Sequence, residues 1–89
     1  MKLIIYDKLV FFKRRYYIIC NDEFDIFNNN ILITNVIKYS NIDTINFYKT
    51  LIECNGKLKS QKCYFEKLSS AIDFLEKLKS INVLMTISQ

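Results

Sequence analysis

Lys13-Arg14-Arg15-Tyr16-Tyr17 is the stretch of this chain best equipped for chemistry. Adjacent guanidinium groups clamp phosphates or carboxylates through paired N–H donors, and neighbouring tyrosine rings can stack on bases. The competing reading is a charged turn between strands, with Tyr16 or Tyr17 in the core. Lys57, Lys59 and Lys62, with Lys67 beyond them, would extend the same positive surface if the fold brings the two basic segments together. Their competing reading is a solvated strand face. Ile, Asn, Lys, Phe and Tyr, all encoded by codons rich in A and T, fill over half the chain, and scattered lysine is expected of such a composition. Between the basic segments lie Asp22, Glu23 and Asp25. Lacking the spacing of a calcium loop, they read as solvated loop carboxylates, or as an acidic knob for a basic partner. Ser69 and Ser70 read as helix caps, because no base is at hand to activate them.

What is missing narrows the function further. The chain has no His, which removes the imidazole base, the usual nucleophile triads and mixed His/Cys zinc sites. Its single glycine, Gly56, cannot build a phosphate-cradling loop, which needs several. Cys20, Cys54 and Cys63 are an odd set without Cys-x-x-Cys spacing, so neither a disulfide framework nor a structural zinc fits, and buried structural thiols are expected. No catalytic residue, metal or cofactor is therefore expected. Asp7 and Lys8 interrupt the apolar start before a signal-peptide core can form, and no run approaches the ~18 apolar residues of a membrane span. A cytoplasmic protein is expected.

The elements that must position these residues are mostly short apolar runs. With 89 residues, 51% of them apolar, the chain should form one domain over residues 1–89. β-Branched and aromatic residues predict strands at Lys2–Tyr6, Leu9–Phe12, Arg15–Cys20, Phe24–Phe27, Ile31–Tyr39, Phe47–Cys54 and Leu58–Phe65. The separators are Asp7-Lys8, Asn21-Asp22-Glu23, Asn28-Asn29-Asn30 and Asn55-Gly56, all turn formers. Asn55-Gly56 predicts a hairpin, with Glu53 opposite Lys59 and Phe47 opposite Phe65. Only one helix is expected, over about 69–82, with Leu68, Ala71, Ile72, Leu75, Leu78 and Asn82 in one stripe that Phe74 and Ile81 widen. Val83–Ile87 reads as a short final strand or a frayed helix tail. The expected class is α+β: a mostly antiparallel sheet of six or seven short strands with a carboxy-terminal amphipathic helix packed on it.

Ile37-Lys-Tyr-Ser-Asn-Ile-Asp-Thr-Ile45 resembles the recurring "Tyr-Ser-x-Ile-x-x-Ile" lead-in to a mid-domain strand of small bacterial pleckstrin-homology-like domains. With the strands, turn and helix that follow, the resemblance covers residues 15–81. It implies a closed two-sheet arrangement, with basic strands beside an open hairpin loop that meet acidic lipid. An open antiparallel sheet with the helix on one face is the alternative.

Together these observations predict a non-catalytic binding module. One version occupies a surface of a larger protein, as a small phage or mobile-element inhibitor of a host nucleic-acid-handling defence complex would, with Arg14, Arg15 and the tyrosines as anchors. The alternative is a pleckstrin-homology-like or nucleic-acid-binding domain whose basic segments meet anionic lipid or RNA/DNA phosphate. A homodimer through an edge strand such as Val83–Ile87 is a third expectation.

Overall fold

A computed structural model describes residues 3–20, 33–59 and 61–87. The expected strand Phe24–Phe27, the acidic turn and the Asn28–Asn30 separator lie outside them. Strands β1 (Leu3–Val10) and β2 (Lys13–Cys20) are followed by helices α1 (Ile33–Ser40) and α2 (Thr44–Glu53), strands β3 (Lys57–Lys59) and β4 (Lys62–Phe65), and helix α3 (Leu68–Ile87). The α+β class and the antiparallel sheet are as expected, but the described residues hold four strands and three helices rather than six or seven strands and one helix. Sheet order is β1-β2-β4-β3.

Two expected strands are helices. In α1, which replaces Ile31–Tyr39, the buried residues are Ile33, Val36, Ile37 and Ser40. That three- and four-residue spacing is helical, and burial along it outweighs the β-preference of the individual residues. The first N–H of α1, on Ile33, donates to the Gln61 carbonyl at 2.7 Å, so this end is not left unsatisfied. Asn41 then turns left-handed (φ 59°) and Ile42 plugs the core. Asp43 caps α2, its carboxylate accepting from the Asn46 backbone N–H at 2.8 Å and from Asn46 Nδ2 at 2.7 Å.

Helix α2 replaces the expected strand Phe47–Cys54, and buries Phe47, Thr50 and Leu51. Asn55-Gly56 is its stop signal and not a hairpin turn. Asn55 is left-handed (φ 60°), its N–H donates to the Ile52 carbonyl at 3.0 Å, and the Gly56 N–H donates to the Leu51 carbonyl at 2.7 Å. This double closure is the Schellman motif, which uses the left-handed tolerance of Asn just as a hairpin would. Glu53 and Phe47 therefore lie on a helix, not opposite Lys59 and Phe65.

The strand expected at Leu58–Phe65 is instead the β3–β4 hairpin, folded at left-handed Gln61 (φ 63°). The two strands expected at Lys2–Tyr6 and Leu9–Phe12 are replaced by the single strand Leu3–Val10, because Asp7 and Lys8 are exposed ladder positions opposite Tyr16 and Arg15 and not a turn. The last helix runs on through Val83–Ile87, which is no strand. Its buried line is Ala71, Phe74 and Leu78, while Leu68 and Ile72, expected in the stripe, are exposed. The Phe74 ring meets Phe65 at 5.1 Å and Phe47 at 5.4 Å between centroids, which joins α3 to β4 and α2.

Candidate functional site

Strand alternation sorts the sheet's side chains into two faces. The register places Tyr6, Lys8, Lys13, Arg15, Tyr17, Tyr64 and Lys57 on one of them, and Asp7, Leu9, Arg14, Tyr16, Ile18, Cys63 and Phe65 on the face that packs against α3. On the first face Tyr6, Tyr17 and Tyr64 make a row, with centroids 5.4 Å and 5.6 Å apart. Tyr17 and Tyr64 are buried within it. Tyr17 is thus structural, and Tyr16 is half-buried on the opposite face.

β4 pairs with β2 only at Tyr16↔Phe65 and Tyr17↔Tyr64. The β1–β2 ribbon continues past that junction as a two-stranded arm, reaching ~13 Å from Tyr16 to its tip at ~3.3 Å per residue. Val10↔Lys13 is the last pair, leaving Phe11-Phe12 as a two-residue loop. Both are left-handed (φ 51° and 64°), as a type I′ turn requires. That turn favours Asn-Gly, and bulky side chains resist it. The rings stand 84% and 97% exposed, beside Leu9 at 59%. The strand expected at Leu9–Phe12 thus stops at Val10, and its last two residues form the turn.

The cations behind this tip differ in what they are doing. Arg14 pairs with Asp7 across the ribbon, an exposed ion pair of small energetic weight. The Arg15 guanidinium lies 4.3 Å over the Tyr64 ring, and its pKa is raised first by a hydrogen bond with Tyr17. Lys57 Nζ donates to Glu66 Oε1 at 2.7 Å, which raises the lysine and lowers the carboxyl from their ordinary values. Lys13, Arg14, Arg15 and Glu66 line an open depression of ≈ 370 Å³ at the arm's base. Among the described residues no carboxylate bridges Lys8 or Lys13.

The two basic segments therefore meet, but incompletely. Lys57 sits near Arg15 through Glu66, whereas Lys59 and Lys62 face each other at the far end of the sheet, ~20 Å from Lys13 along the strands. Elsewhere, Cys54 and Cys63 are buried, and burial pushes their thiols up to about 11 and about 12, away from reactivity. Among the described residues no three His, Cys, Asp or Glu side chains gather as metal ligands, and no helix is long and apolar enough to cross a membrane.

No protein-family model, curated protein or solved structure matches this chain.

Proposed function

We propose that the chain is a non-catalytic binding module that seats the tip of its basic arm on the surface of a larger protein. The observation that carries this is the Phe11-Phe12 pair, held in left-handed backbone and presented almost fully to solvent, with Lys8, Lys13, Arg14 and Arg15 close behind. Aromatic anchors that bury together inside a ring of cations form the centre and rim of a docking contact. The matching surface is an apolar cleft edged with carboxylates. The mechanism is occlusion: no bond is made or broken, and whatever the cleft otherwise holds is excluded. A phage or mobile-element inhibitor of a defence complex would work in this way.

A second reading, anionic lipid or nucleic-acid phosphate, is favoured by the spacing of the cations. Lys13 to Arg15 lie ~3–10 Å behind the tip, the depth at which an apolar element in a bilayer interface leaves its charges among the headgroups. The Ile37–Ile45 stretch that resembles pleckstrin-homology-like domains runs from α1 into α2 rather than into a strand, so it adds no weight to this reading.

The test is affinity capture at low and high salt with wild type, Phe11→Ser/Phe12→Ser and Lys8→Glu/Lys13→Glu, beside co-sedimentation with phosphatidylcholine vesicles with and without phosphatidylserine. A protein contact with an apolar centre is lost in the phenylalanine variant and survives salt. Phosphate binding is lost in the lysine variant and falls steeply with salt. Capture retained by both folded variants overturns the assignment to the arm.

A further inference from the structure

The two edges of the sheet are built differently. β3 is three residues long and exposes Lys57 and Lys59, the short, lysine-bearing form that discourages further pairing. β1, at the other edge, is eight residues long and holds unbroken register with β2 from Leu3↔Cys20 to Val10↔Lys13. It has no proline, and no bulge twists it away. Leu3, Ile4, Ile5 and Tyr6 are four successive apolar side chains on alternating faces, each only partly buried. Among the described residues no strand covers the outer edge of β1. Asp7 and Lys8 are exposed further along it, but a long, regular edge with so apolar a first half is a template for another strand.

We infer that β1 is the pairing edge for a second copy of this chain, joined antiparallel across a two-fold axis perpendicular to the sheet. Such an axis sets one residue opposite its own counterpart, so the available registers are few. Centring on Lys8 or Asp7 puts like charges face to face, which is unfavourable. Centring on Ile5 shortens the ladder from seven residue pairs to five. Centring on Tyr6 gives the longest ladder free of facing like charges. Leu3 then lies opposite Leu9 of the second copy, Ile4 opposite its Lys8, and Ile5 opposite its Asp7. The result is one continuous sheet made from two four-stranded ones, with the arm tips at opposite ends.

The Ile4–Lys8 juxtaposition supplies the test, because it makes assembly depend on the sign of a charge. Mass is measured by sedimentation over a range of concentrations, with folding checked by circular dichroism. Wild type should be a dimer, with concentration-dependent amide protection along Leu3–Leu9. Ile4→Lys should weaken the dimer by about tenfold or more, since the two-fold axis doubles each like-charged pair. Ile4→Glu, equally polar, should keep it, and Lys8→Glu should restore it in Ile4→Lys. A wild type that is monomeric at every concentration overturns the proposal, whichever foreign strand the edge then takes. So does equal loss of the dimer in the two folded Ile4 variants. The mass of the wild type and of the Ile4 variants, a position outside the arm, decides this proposal, so failure here leaves the reading of Phe11-Phe12 standing.

Discussion

Replacing Phe11-Phe12 with Asn-Gly should make the protein more stable and deprive it of its docking tip. Both phenylalanines are left-handed, and a full side chain in that region costs ~1–2 kcal/mol per residue, so the turn holds ~2–4 kcal/mol of strain. Asn tolerates the conformation better and Gly adopts it freely, though Gly returns ~0.5–1 kcal/mol as chain entropy. The rings are so exposed that their removal forfeits little burial. A net gain of ~1–2 kcal/mol remains, a rise of roughly 5–10 °C in Tm for a domain of this size. Urea unfolding at unchanged slope reads it directly. An unchanged or lower midpoint would refute the assignment of strain to this turn. A higher midpoint with undiminished capture would show that the strain serves something other than binding.

Gly56→Ala should destabilise by about 1–3 kcal/mol in the same assay, because the added Cβ would lie against Leu51 Cδ1, 2.7 Å from Leu51 Cγ and 2.9 Å from Phe65 Cε2, both in the core. Combining it with Leu51→Ala should cost less than the sum of the two, and strict additivity would contradict the contact. The Cys54 and Cys63 thiols should resist alkylation at pH 8 in the native protein and react in urea. Their raised pKa values leave both states protonated below the ordinary thiol pKa of ~8.5. Above it the unfolded chain ionises first, so stability should fall by ~1.4 kcal/mol per pH unit per thiol toward the folded values of about 11 and about 12. A fall no smaller in Cys63→Ala than in wild type would assign it to other groups.

Much of this fold was written in periodicities that local propensity obscured. Ile33, Val36, Ile37 and Ser40 carry a helical spacing, as do Phe47, Thr50, Leu51 and Cys54, yet Ile, Thr, Tyr and Phe are also strand formers. In so short an apolar run the two periods overlap, and only the core facing it decides. Asn55-Gly56 shows the same ambiguity in a dipeptide, since helix stops and hairpins both need a left-handed Asn. The arm did leave a signature: Ile4-Ile5-Tyr6 and Tyr17-Ile18-Ile19 mirror each other about Phe11-Phe12, and they are the residues that pair. The turn was illegible because Phe-Phe is the wrong chemistry for it. Lys13 to Arg15 could be picked out by type, but a sequence holds no record of Arg15 settling on Tyr64 while, among the described residues, no carboxylate bridges Lys13.

The junction between β2 and β4 also concentrates the entropic cost of folding in one place. Each hairpin closes on a loop of a few residues, whereas Tyr16 and Phe65 must meet across about fifty positions, at ~3.5 kcal/mol from the logarithmic term alone. Helices α1 and α2 both lie inside that span and shorten the chain that has to be closed. A local hairpin at each end and two local helices between them are natural early structures, and the pairing of Tyr16 and Tyr17 with β4 completes the sheet only when these have come together.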